Sequence, residues 1–387
     1  MLNEVTSDYI ELFSSGSNSH GQLGTGHTED LQEFTSIERW STSTEILSFA
    51  AGARHSIFLI RNQLDGFPKI LGSGDRTNFQ LPINSDRTTE TRLTEIDYQN
   101  LILSIQSIDP ELREKLLSSY QPTIVGSSWE TSFVNLDPIK DRCSENDSSV
   151  LVSFGSNDFG LRGTQNGSVT RLEDPSIVEF NIPPRSAFRI SNLVGGPKHV
   201  IAVVSIRSFD SNTTSVEIIG WGAARHGQLG SSETREKPFK TLPPTRINLS
   251  FELPRDTDSI KIGVGKEHTV IACPGHIYSL GNHKYSQNQI PEFESEDHIL
   301  DVQCCWNTTF FLKQPAIGNE PPSSCLLLGF GNNSQAQLGS LDPNILLSET
   351  QLNGSPSSIK LAVGSEHAMV SARSDLIYGW GWNEHAT

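Results

Sequence analysis

Repetition constrains this chain more than any other property. A short apolar strand, then Gly-x-Asn, then Gly-Gln-Leu-Gly stands at Leu12–Gly24 as LFSSGSNSHGQLG. The pattern returns as EIIGWGAARHGQLG at Glu217–Gly230 and LLLGFGNNSQAQLG at Leu326–Gly339. Weaker copies lie at Ile70–Leu81, Leu151–Gly163 and His276–Gln287, and a seventh, LIYGWGWNEH, runs over Leu376–His385. A second unit alternates with it: an apolar strand, Gly, two residues, His, then another apolar strand. It reads FAAGARHSIFLI at Phe49–Ile60, LVGGPKHVIAVV at Leu193–Val204, IGVGKEHTVIAC at Ile262–Cys273 and LAVGSEHAMVSA at Leu361–Ala372. Degenerate forms at Ile124–Val134 and Val302–Leu312 bring these to six. Such phased self-similarity, at roughly fifty to eighty residues per repeat, marks a repeat architecture.

Each pair of units supplies about four short strands, too few to bury both faces of a sheet, so neighbouring repeats must cover one another. Segments such as HSIFLI and HTVIAC suit the pleat, where alternate residues face opposite sides. Small Gly, Ala and Ser side chains let strands crowd near an axis, and Phe58 and Phe311 are expected to fill the wider gaps between sheets. With 31 glycines, 20 prolines and almost no helical periodicity, the expected class is all-β, a seven-bladed β-propeller.

Seven first-type units face only six second-type units, so the last blade is expected to be incomplete, with a truncated or misassembled C-terminus as the explanation. The propeller domain is placed at 10–387, after a disordered N-terminus at 1–9. The stretch 83–121 reads as a peripheral, partly helical insertion, with Asp109 as N-cap and Pro110 opening a short helix. The segments 26–44, 164–189 and 231–254 read as polar connections, which leaves Trp40 in a loop.

A formal charge of −16 with no compact basic run disfavours direct nucleic-acid binding, which rests on Lys and Arg neutralising phosphates. Five cysteines without C-x-x-C spacing, and no signal peptide, point to a reducing compartment. No apolar run approaches the roughly 20 residues that cross a bilayer. The expectation is a soluble intracellular monomer without membrane contact.

The alternation of Gly-x-Asn-x-x-Gly-Gln-Leu-Gly with Gly-x-x-His-(Ser/Thr)-x-x-(Leu/Val), from Leu12 to His385, resembles the repeat of the regulator-of-chromosome-condensation family, whose members are seven-bladed propellers. More narrowly, the opening SGSNSHGQLGTGHTED and the ending VGSEHAMVSARSDLIYGWGWNEH resemble a small cytosolic subgroup. That subgroup contains the secretion-regulating guanine-nucleotide exchange factor and the fungal alpha-tubulin suppressor. The resemblance implies a non-catalytic propeller that binds the small CSL-type zinc protein of diphthamide synthesis and so supports Elongator-dependent modification of the tRNA wobble uridine. It implies a cytoplasmic location, with the nucleus as a second compartment. The alternative is a guanine-nucleotide exchange factor for a small GTPase. Exchange in the founding family relies on a wedge, which no segment here matches. Chromatin binding is disfavoured by the acidic charge and the missing basic N-terminal tail.

Candidate chemistry is sparse. His55, His199, His268 and His367 each follow a repeat glycine by three residues and lie too far apart to share a zinc ion. The expectation is that they are structural, with ring nitrogens bonded to loop backbone, as are Gly24, Gly230 and Gly339 in the turns. His20, His226, His283 and His385 fall in the following loops without catalytic partners. The Gly-x-Gly pieces are not phosphate loops, because they open no helix and carry no Gly-Lys-Ser/Thr. No catalytic residue, metal or cofactor is expected. Candidate partner-binding residues are Trp129, Trp221, Trp306, Trp380, Trp382, Glu384 and His385, since Trp is enriched at binding hot spots.

Overall fold

The computed structural model describes residues 9–64, 66–164, 173–230, 241–288, 298–315, 324–339, 350–353, 358–373 and 376–382. Glu384, His385 and the expectations for the extreme termini lie outside the described residues.

Seven antiparallel sheets follow one another along the chain. β1 (Tyr9–Gly16) pairs with β2 (Leu31–Ser41). The second sheet is β3 (Thr44–Ala51), β4 (His55–Asn62), β5 (Lys69–Asp75) and β6 (Thr89–Ile96). Two helices, α1 (Tyr98–Leu103) and α2 (Pro110–Ser119), lead to β7 (Tyr120–Ser128), β8 (Thr131–Pro138), β9 (Val150–Gly155) and β10 (Ser176–Ile177). The fourth sheet is β11 (Ser186–Gly195), β12 (His199–Ser208), β13 (Thr214–Ala223) and β14 (Thr241–Arg246). Then come β15 (Lys261–Val264), β16 (His268–Cys273) and β17 (His276–Gly281). The sixth sheet has β18 (His298–Cys304), β19 (Thr308–Gln314), β20 (Ser324–Gly331) and β21 (Thr350–Asn353). The last has β22 (Lys360–Val363), β23 (His367–Arg373) and β24 (Leu376–Gly381). One sheet per repeat, built as a meander, is the blade pattern of an all-β, seven-bladed propeller of this repeat type.

The chain divides into two compact units, Met1–Asn157 with Arg162–Glu179 and Asp158–Leu161 with Phe180–His385. In each, the strands after Gly-x-x-His are the inner core. β16, HTVIAC, is buried at all six positions because strands flank it on both edges and apolar side chains cover both faces. In the first unit Ile57, Leu59, Ile70, Val134 and Phe154 share one cluster. In the second, Phe311 packs with Val270, Ala272 and Val302. Phe58 departs from its expected role and stacks on Phe49, which is 69% exposed.

The outer strands correct the reading of the polar connections. β2, β10 and β14 lie inside the stretches expected to be loops, and Trp40 is a β2 residue paired with Ile10. Their sequences look like connections because an outermost strand needs no continuous apolar face. β14 even holds Pro243 and Pro244, which an edge strand tolerates. The 83–121 stretch likewise contains β6 as well as both helices. Asp109 caps α2 as its sequence suggests, accepting from Leu112 N. Yet Leu101, Ile102, Ile105 and Leu116 are all at most 2% exposed and join the first unit's core. The segment is a packed part of that core, because its apolar residues recur at helical spacing toward β7.

Candidate functional site at the turn ends of the sheets

At one end of each sheet from the second to the seventh, the Gly-x-x-His turn or its degenerate form accepts a backbone hydrogen bond from the turn after the following strand. The imidazole folds back over the glycine before it: a Cβ on Gly52, Gly265 or Gly364 would fall 2.3, 2.1 and 2.2 Å from Cε1 of His55, His268 and His367. Only glycine leaves that space. Gly24, Gly230 and Gly339 end the neighbouring turns with φ of +75°, +77° and +88°.

His55, His199 and His268 are at most 1% exposed. Their Nε2 atoms lie 2.7, 2.8 and 2.9 Å from the hydroxyls of Ser132, Thr269 and Thr309, each on the next sheet. The rings therefore bond side chains, and the expectation of loop-backbone partners is corrected. The same three hydroxyls donate to the carbonyls of Gln80, Gln228 and Gln287 at 2.8, 2.8 and 2.6 Å. A hydroxyl has one proton. With that proton on the Gln carbonyl, it must accept from imidazole Nε2–H, which fixes the tautomer and leaves each Nδ1 without a hydrogen-bond partner. Burial pushes His55 and His268 down to about 4 and His199 to about 3. These rings are neutral packing groups. No cluster of three or more His, Cys, Asp or Glu that could hold a metal exists among the described residues.

Where the hydroxyl is missing, a tryptophan replaces it. Val200 and Ala368 occupy the position after His199 and His367, and their cross-strand partners are Trp221 and Trp380. Trp221 Nε1 donates to Leu161 O at 2.7 Å, and Trp380 Nε1 donates to Gln337 O at 2.7 Å. Leu161 and Gln337 are the residues at the Gln position of their turns. Trp221 is fully buried, so it presents no surface to a partner, and Trp380 is half-buried against Phe310. The assignment of Trp221 to a binding surface gives way to this packing role. The exchange of hydroxyl for indole is legible only once β12 is seen paired with β13, and β23 with β24.

Of the remaining candidate tryptophans, Trp129 and Trp382 are exposed and Trp306 is half-buried. In the first unit, Trp129 is 39% exposed at φ +53°, its carbonyl accepts from Ala53 N at 2.8 Å, and Phe79 in a neighbouring turn is 41% exposed. Beside them Arg54 reaches both Asp75 and Glu130 at 3.9 Å, and Asn78 donates to Glu130 at 2.7 Å. In the second unit, Lys266 Nζ sits 4.8 Å from the centroid of the Trp306 ring. Trp306 N donates to Ser365 O, and Trp382, 41% exposed, donates through its own N to Glu366 O, so these turns adjoin. Glu267 gathers Lys198 at 3.1 Å, Asn282 at 2.9 Å and His226 at 3.4 Å. Burial works to raise the Glu267 carboxyl, but the bonds from Asn282 and Lys198 outweigh it and hold it below the ordinary range. These charged positions were not picked out from the sequence. The signal available was the variable pair of residues inside each Gly-x-x-His.

Comparison with known proteins agrees with this architecture. The family model for the regulator of chromosome condensation (RCC1) repeat matches residues 11–59. The ultraviolet-B receptor UVR8 of Arabidopsis thaliana is 27% identical over 60% of this chain and 49% of the receptor, so the chain spans about half that protein's length. The secretion-regulating guanine nucleotide exchange factor of Bos taurus is 23% identical over 97% of this chain and 74% of its own. Human WBSCR16 has the same fold, with a TM-score of 0.59 at 13% identity, covering 97% of this chain and 89% of that one. With seven repeat sheets and turn glycines clasped over buried imidazoles, the chain is similar in sequence and fold to the RCC1-type repeat propellers.

Proposed function

We propose that this protein is a non-catalytic interaction propeller that binds a protein partner at the turn ends of its sheets. The observation that carries the reading is Trp306, with the Lys266 ammonium over its ring and the exposed Trp382 in the adjoining turn. Aromatic side chains set among solvent-facing charges are the composition of binding hot spots. The repeat imidazoles of His55, His199 and His268 are buried and neutral. The partner proposed is the small CSL-type zinc protein of diphthamide synthesis, through which the propeller serves Elongator-dependent wobble-uridine modification in the cytoplasm and nucleus. Support for that partner is the likeness of the first and last repeats to the alpha-tubulin-suppressor subgroup.

A second reading, guanine-nucleotide exchange on a small GTPase, is favoured by the alignment with the bovine exchange factor along 97% of the chain. Affinity purification at low salt, followed by a nucleotide-release assay, separates the two. Co-elution of the zinc protein with no accelerated release supports the first. Accelerated release from a co-eluting GTPase replaces it with the second.

A further inference from the structure

β13 is longer than the strand beside it. β12 pairs with it from Thr214 to Gly222, but β14 covers it only from Ile219 to Ala223. After β14 one more bond is made, Ile247 N to Ile218 O at 2.8 Å, and the chain then turns away. In a strand, N–H and C=O groups alternate between the two edges residue by residue. With Ile218 O directed at Ile247, the backbone groups of Val216 and Thr214 also point to the outer edge. No hydrogen bond reaches them there among the described residues. Along this edge runs a cavity of about 560 Å³, walled by Thr214–Ile218 on one side and residues 246–253 and Arg255 on the other. That volume lies in the range of built binding sites. Its floor is apolar, with Val216, Leu249, Phe251 and Leu253 half-buried against the second unit's core. Its rim is charged, Arg246 being paired with Glu217 at 3.1 Å.

We propose that the open edge Thr214–Ile218 is a docking site for an extended peptide segment of a partner protein, which adds to β13 as a strand. About four residues at roughly 3.3 Å each span the edge, and main-chain bonds to Val216 provide the register. The segment carries apolar side chains at alternate positions for the Leu249–Leu253 floor. It is uncharged in the groove, because the charged lining residues Arg246, Arg255, Glu217 and Glu252 balance in sign, and basic in its flanks, because the chain bears a net charge of −16. The same charge opposes a second copy of this chain as the occupant. The groove lies at the end of β13 away from the His199 turn, so it is separate from the turn-end surface.

Panning a phage-displayed library of short peptides on the full chain tests this, with affinities of the selected peptides read by fluorescence anisotropy. Selected peptides should show the alternation and basic flanks, and should slow amide exchange at Val216 and Ile218. Val216→Pro removes an outward N–H, leaves the β12 ladder intact and should weaken binding about tenfold or more. Methylating alternate amide nitrogens of the peptide, which leaves the protein untouched, should weaken binding equally on one edge of the peptide and not on the other. An empty selection overturns the proposal, as do binders indifferent to both changes. Self-association that disappears with Val216→Pro overturns it in favour of a second copy.

Discussion

Trp221 and Leu161 are joined by a 2.7 Å bond from the indole N–H to a backbone carbonyl, and the residue opposite Trp221, Val200, is the one that lacks the repeat's usual hydroxyl. Trp221→Phe keeps the ring and removes the donor. The buried Leu161 carbonyl is then unsatisfied, which costs about 1–3 kcal/mol. Adding Val200→Thr puts a hydroxyl where Thr269 and Thr309 carry theirs and should recover part of that loss. Urea unfolding of the two single variants and the double variant measures the coupling. If Trp221→Phe costs the same in both backgrounds, the two groups are not alternatives.

Acid should destabilise the protein through its buried imidazoles. His55, His199 and His268 titrate in the folded state at about 4, 3 and 4, against about 6.5 when unfolded. Between those values the unfolded chain binds protons that the folded one does not, so stability falls as pH falls. The loss starts near pH 6.5, grows by up to about 1.4 kcal/mol per pH unit for each ring, and levels off below about 4 for His55 and His268 and below about 3 for His199. Thermal unfolding followed from pH 7.5 to 4 should show this slope. It should be shallower by one ring's share in His268→Gln. A flat profile would mean that the rings are charged or exposed.

The glycine under each imidazole has no permitted substitute. In Gly265→Ala the new methyl would meet the His268 ring 2.1 Å away and Cys305 O at 2.9 Å, so the ring must leave its bond to Thr309. The expected cost exceeds 2 kcal/mol, above the ordinary Gly-to-Ala effect of less than 1. Gly275→Ala, whose Cβ meets nothing within 4 Å but which sits at φ +77°, serves as the control for backbone strain alone.

The helical segment between β6 and β7 should behave as core. Leu116 is fully buried in α2 among the first unit's apolar residues, and Leu116→Ala should cost about 2–5 kcal/mol in denaturant unfolding. Exposed Leu103 on α1 makes the comparison, with an expected change within about 0.5 kcal/mol.

For partner binding, Trp306→Ala and Trp382→Ala should each weaken capture by 1–2 kcal/mol, about five- to thirtyfold in Kd, with little change in melting temperature. Trp380→Ala should lower the melting temperature first, since its N–H is bonded to Gln337 O. Isothermal titration beside thermal scans separates the two behaviours.

Repetition alone determined the number and kind of sheets here, because a Gly-x-x-His or Gly-x-Asn turn carries its own φ and spacing requirements within a dozen residues. It also marked the histidines as structural. Outer strands such as β2 and β14 leave no such mark, since a strand with one solvated side shows no continuous apolar run. Only the tertiary structure decided which tryptophans are buried, that the helices within 83–121 join a core, and that, among the described residues, no backbone partner reaches β13 at Thr214 and Val216. Those outcomes depend on partners far off in sequence: His55 meets Ser132 across 77 residues and Trp221 meets Leu161 across 60. A hydrogen bond at 2.7 Å is a fact of how sheets come together, and no local pattern encodes it.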